Sequence, residues 1–332
     1  MSAPAAQPPL LEVAQLGVAF RGEQGLVQAV EGLSFDLRAG ETLCIVGESG
    51  CGKSATALAL MGLLPKGTGF ASGRVSFEGR ALLGLDTAAL ADLRGDRLAM
   101  IFQEPMTALN PSFTIGDQLA EVLVRHRGAS RSAALEAAVQ MLARVHIPAP
   151  EQRAREYPHQ LSGGMRQRAM IAMALLCEPA LLIADEPTTA LDVTIQAQVL
   201  ELMRVLREQT HAAILLITHD LGVVAEMADR VLVMYAGQAV ESAPVHALFD
   251  APQHPYTVGL LGALPALSER RPRLAAIDGQ VPAPGAMPPG CRFAPRCPFA
   301  EARCRAEAPP LVTLADGHAT RCWKAPLEAL VA

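Results

Sequence analysis

The stretch ETLCIVGESGCGKSATALALMGLL constrains this chain more than any other. It reads as an apolar strand, a glycine-rich turn and then a helix. Residues 47–54 fit G-x-x-x-x-G-K-[ST], and the strand–loop–helix context gives that pattern its meaning. Glycines at Gly47, Gly50 and Gly52 let backbone N–H groups curl round phosphate oxygens, and the helix start adds the positive end of its dipole. Lys53 is expected to bridge phosphate oxygens and Ser54 to ligate Mg²⁺, with Glu48, Ser49, Cys51 and Ala55 completing the nucleotide contacts. Lysine is scarce here, with Lys66 and Lys324 the only others, so a lysine where phosphate chemistry requires one carries extra weight.

A second apolar run, ALLIADEP, supplies a partner for the loop. It leads to Asp185, which can hold Mg²⁺ through water, and to Glu186, placed to orient and deprotonate an attacking water. A solvated acidic pair ending a strand is the plainer reading. Both halves of one site argue for a chain that binds and hydrolyses a nucleotide.

The 332 residues suit one large domain with an appendage. A hydrophobic fraction of 51% raises the question of a membrane span. The runs SATALALMGLLP, AMIAMALLCEPALLIA and AAILLIT are each short or broken by Glu, Pro or Thr, below the roughly 18–20 residues a bilayer requires. The N-terminal residues lack a basic region followed by an apolar one, so a cytosolic chain is expected. A net charge of −5 speaks against nucleic acid as a partner held by bulk electrostatics.

Residues 161–165 read LSGGM at the entrance to a predicted helix. Ser162 and the bare backbone of Gly163 and Gly164 form a second helix start able to grip a phosphate. Here the sequence resembles the ATP-binding subunits of ABC transporters, whose signature is LSGGQ-like, and the resemblance covers nearly the whole chain. It implies that this second grip acts on ATP bound to an opposing subunit, so that two subunits close on two ATP molecules. Met165 departs from the commoner Gln, which the backbone grip tolerates. By the same resemblance Gln103 matches a loop that senses Mg²⁺ and water, and His219 a switch histidine at the γ-phosphate. Residues 190–192, ending in Asp192, match a loop at the dimer interface. Phe20 stands where the family stacks an aromatic ring, more often Tyr, on adenine; a β-strand core position is its other reading.

The implied fold is α/β. It comprises a RecA-like P-loop core, an N-terminal antiparallel β subdomain at about 10–37, a helical subdomain at about 104–165 and a small Cys-rich C-terminal extension. The expected division is an ATPase domain over 1–250 and the extension over 251–332.

Composition shifts near Asp250, with an Arg-rich stretch at 268–274 and then Pro-rich sequence. HPYT at 254–257 and GCRFAPRC at 290–297 resemble the C-terminal extension of peptide and nickel importer ATPases. Four of the seven cysteines, Cys291, Cys297, Cys304 and Cys322, fall there. Disulfides are disfavoured in a reducing cytosol. Structural zinc usually uses a close C-x2-4-C pair, absent here, whereas a [4Fe–4S] cluster takes four thiolates. The resemblance points to [4Fe–4S], with Zn²⁺ and no metal as the alternatives. Such a site would staple an extension too small to build its own core. Cys44 and Cys177 read as small core hydrophobes.

The resemblance implies an importer ATPase for di-/oligopeptides or a related small solute, peripheral on the cytoplasmic face of the membrane. Its partners would be two membrane-spanning permease subunits, a second ATPase chain, forming a heterodimer rather than a homodimer, and an extracytoplasmic substrate-binding protein. Two alternatives stay open: a nickel or other small-solute importer, and a soluble non-transport ABC ATPase. The latter usually carries coiled-coil insertions or two fused halves, and the sequence has neither.

Overall fold

Short, almost wholly apolar runs become strands buried at every residue: TLCIV, LLIAD and AILLI, the pattern of parallel strands covered on both faces. The structure, a computed structural model, describes residues 8–23, 25–104, 108–189, 191–263, 277–283, 285–314 and 317–327. Ala190 and the Arg-rich 268–274 lie outside the described residues. The chain divides into two compact units.

One unit takes residues 12–36, 42–76 and 218–332. Its N-terminal strands share a sheet in which Leu11–Gly22 lies between Gly25–Leu37 and Gly69–Phe77. A second set of strands runs in the order Val312–Thr313, Ala319–Thr320, Gln238–Pro244, Arg230–Tyr235 and Thr42–Val46. The last pair is parallel, with Leu43 opposite Arg230 and Val46 opposite Val233; the others are antiparallel. Arg230–Tyr235 and Gln238–Pro244 are joined by Ala236 and Gly237, both at positive φ (46° and 83°), the backbone hand that suits a tight hairpin. Residues from beyond 251 extend this sheet, with Thr320 opposite Glu241 and Ala319 opposite Ser242. Glu241 is fully buried, accepts from the Gln253 N–H and lies 2.7 Å from His318 Nε2, so a buried hydrogen-bonded pair pins the added strand.

The other unit takes residues 1–11, 37–41 and 77–217. Leu98–Ile101, Leu181–Asp185 and Ala213–Ile217 form a parallel set, with Leu98 opposite Leu181 and Leu181 opposite Ala213. The helices Ile115–Arg127, Arg131–Arg144 and Gly163–Leu175 pack against one another. Each begins on a side chain suited to cap it. Thr114, Ser130 and Ser162 accept from the N–H groups of Asp117, Ala133 and Met165. The first of these helices also carries Asp117 in its first turn and Arg125, His126 and Arg127 in its last, matching the helix dipole. Among the described residues no helix is long and apolar enough to cross a membrane.

Gly116 marks the closest approach in the helical region. Its N–H donates to Ala154 O at 2.8 Å, and a Cβ there would lie 2.8 Å from the same oxygen. Gly116→Ala is therefore expected to destabilise the fold by about 1–3 kcal/mol, the usual cost of overpacking. Urea titration followed by circular dichroism measures it.

Candidate nucleotide site and cysteine cavity

In the first unit the strand Thr42–Val46 runs into residues 47–52 and then the helix Lys53–Leu60. Gly47 and Gly52 have φ of 154° and 105°, and a Cβ at either would strike backbone, 2.2 Å from Met234 O and 2.7 Å from Ala29 O. Only glycine fits, so the pattern read from sequence is imposed by packing behind the loop. The helix starts without a side-chain cap and without an acid in its first turn, leaving its N–H groups and dipole unneutralised. Lys53, only 6% exposed, donates from Nζ to Gly47 O at 2.7 Å and to Glu48 O at 3.0 Å. Ser49 and Gly50 are exposed, and Ser54 and Ala55 half-buried. Cys51 is fully buried; burial pushes its thiol up, against the lowering effect of Lys53. Phe20 is half-buried on its strand and is not a core residue. His219 is exposed and follows Thr218, whose N–H donates to Ile45 O at 3.3 Å, so it is tethered to the strand that feeds the loop.

The second unit holds the acidic residues. Asp185 is buried at the end of its strand. Glu186 takes φ 49°, a left-handed backbone unusual for a non-glycine, and its N–H donates to Ile217 O at 2.9 Å. Its Oε2 accepts from Thr189 Oγ1 at 2.9 Å, and Gln103 Nε2 lies 3.4 Å from the same oxygen. The fold thus brings Gln103 and Glu186 together. Thr189 was not singled out, though its hydroxyl three residues past a carboxylate was a readable signal.

Ser162 caps its helix, and its Oγ accepts from the Met165 N–H at 3.3 Å. A Cβ on Gly163 would meet nothing within 4 Å among the described residues, so their packing does not demand glycine there. Asp192 caps the helix Val193–Thr210 and accepts from the Ile195 N–H at 3.0 Å. The next residue, Val193, is 84% exposed.

All seven cysteines carry free thiols, and Cys44 and Cys177 are buried. Cys291, Cys297, Cys304 and Cys322 line one small cavity together with His254 and Phe293. Burial pushes the Cys322 thiol up to about 11, and the charges of the other three cysteines add to the rise; burial also raises Cys291 and Cys297. His254, fully buried, has its imidazole lowered to about 3 by burial, which keeps it neutral. Among the described residues no group of three or more His, Cys, Asp or Glu stands ready to hold a metal ion.

Two family models match this chain: ABC transporter over residues 30–189, and oligopeptide/dipeptide transporter, C-terminal region, over residues 240–304. A dipeptide transport ATP-binding protein of Bacillus subtilis is 52% identical, covering 95% of this chain and 94% of the relative. A peptide import ATP-binding protein of Brucella melitensis is 51% identical, covering 95% and 96%. Among solved structures, the dimeric post-hydrolysis state of an ATP-binding cassette bound to ADP and phosphate aligns with a TM-score of 0.64 and 26% identity, over 71% of this chain and 98% of that one. By sequence along nearly its whole length and by fold, the chain belongs to the ABC transporter family, among the ATP-binding proteins that carry the oligopeptide/dipeptide transporter C-terminal region.

Proposed function

We propose that this chain is the ATP-hydrolysing subunit of an importer for di- and oligopeptides or a related small solute. The observation that carries the reading is the loop of residues 47–54, an uncapped helix start with a buried lysine folded over it, in a chain about half identical to peptide-import relatives. Residues 47–55 cradle the phosphates, and Phe20 stacks on the adenine. Ser54, Asp185 and Gln103 attend Mg²⁺. Glu186 is the general base, with Thr189 and Gln103 at its Oε2 to fix the carboxylate. His219 contacts the γ-phosphate.

Ser162, Gly163, Gly164 and Asp192 face a second ATPase chain. The open space at Gly163 and the exposed Val193 support that reading, because neither is explained by packing among the described residues. The dimer, a heterodimer in this reading, drives two permease subunits from the cytoplasmic face of the membrane. An extracytoplasmic binding protein delivers the solute, so substrate choice lies outside this chain.

In this reading, which follows the family resemblance, the four cysteines hold a [4Fe–4S] cluster rather than Zn²⁺. A cluster spreads its thiolates over separate irons, whereas zinc gathers four sulfurs round one point. In this reading Cys291, Cys297, Cys304 and Cys322, which line one cavity, would hold the cluster. Its metal centres would supply the positive charge that four neighbouring thiolates need.

Glu186→Gln is expected to retain ATP binding while slowing hydrolysis by about 10²–10⁴-fold, the range for loss of a general base. Nucleotide-binding titration beside steady-state phosphate release tests this, and undiminished turnover rejects the role. Protein purified anaerobically is expected to contain about four irons and four sulfides per chain. One zinc per chain without sulfide would sink the cluster.

A further inference from the structure

Glu48 belongs to the phosphate-binding loop, yet both its side chain and its amide are held by residues of the C-terminal region. Arg296 Nη1 lies 2.8 Å from Glu48 Oε2, with the arginine side chain 6% exposed. The same guanidinium donates to Asp278 O and Ile277 O and sits 5.7 Å from the centroid of the Tyr235 ring. The Glu48 N–H donates to Tyr256 Oη at 2.9 Å. From the other side of the same residue, Glu48 O accepts from Lys53 Nζ at 3.0 Å. One loop residue thus joins a buried tyrosine and a buried arginine to the lysine of the phosphate site.

The attachment is stiff. Tyr256 is fully buried, and burial raises its phenol so that the hydroxyl stays neutral and can accept the amide proton. Phe293 packs edge-on against Tyr235 and tilted against Tyr256, with centroids 5.2 and 5.4 Å apart, and itself lines the cysteine cavity. The Arg296 side chain is buried while that of Glu48 is 28% exposed, so losing Glu48 leaves a buried guanidinium short of its carboxylate partner and disturbs the loop.

We infer that Arg296 and Tyr256 are positioning residues of the ATP site: they fix the Glu48 segment, and through it Lys53, so that the C-terminal extension sets ATP affinity. The inference rests on the reading that residues 47–54 hold ATP.

The test is binding of a fluorescent ATP analogue to the full chain, with amide hydrogen exchange read at Glu48. Arg296→Met is expected to weaken binding about tenfold, near 1.4 kcal/mol, and Arg296→Lys to restore part of it. Tyr256→Phe removes one oxygen and keeps the ring packing; it is expected to weaken binding about threefold and to speed exchange of the Glu48 amide, on the same free-energy scale. This variant carries the test if Arg296→Met fails to fold. Because Arg296 acts through Glu48, the double variant Glu48→Gln/Arg296→Met is expected to bind no more weakly than Arg296→Met alone. The positioning role is overturned if Lys53→Ala abolishes binding while Arg296→Met and Tyr256→Phe leave it unchanged, or if the two losses in the double variant add. Intact binding in Lys53→Ala would overturn the ATP reading and the inference with it.

Discussion

The backbone of residues 47–52 can exist in its present shape only because no side chain projects from Gly47 or Gly52. Met234 O and Ala29 O occupy the places where side chains at Gly47 and Gly52 would stand. Cys51 O accepts from the Gly237 N–H, so the hairpin after Tyr235 closes against the loop. A tightly packed backbone with a lysine folded over it, ahead of an uncapped helix start, is what a phosphate site needs before any ligand arrives. The strands, the hairpin and the C-terminal region of that unit can be read as the supports of this one loop.

The C-terminal region solves a different problem. Residues 277–327 contain only one short helix and two two-residue strands among those described, too little to bury a core of their own. They are held by the strand pairing at Thr320, the buried Glu241–His318 bond and the aromatic contacts of Phe293. Four thiols in one cavity are at odds with burial unless they stay protonated or meet positive charge, and the raised Cys322 thiol expresses that conflict.

What could be read from sequence was whatever is encoded locally. The glycines, Lys53 and Ser54 of the loop announce a backbone conformation, and Ser162 announces a helix start through its side-chain chemistry. Glu186 was singled out by its place after Asp185 and Gln103 by the family resemblance; that the two lie side by side is a fact of the fold. Phe20 had two sequence readings; its half-burial removes the core one. The grip of Tyr256 and Arg296 on Glu48 was not legible, because those contacts span 208 and 248 residues and no local pattern carries them. The strands Val312–Thr313 and Ala319–Thr320 were equally hidden, since two residues cannot display an alternation.

The most direct measurement is gentle anaerobic affinity purification of this chain from its native membranes, with its companions identified by mass spectrometry. The expected companions are two multi-span membrane proteins and a second, similar ATPase, joined by a substrate-binding protein when the complex is kept whole. Recovery with ribosomal or DNA-repair proteins, and without any membrane protein, would contradict the importer while leaving the ATPase itself in place.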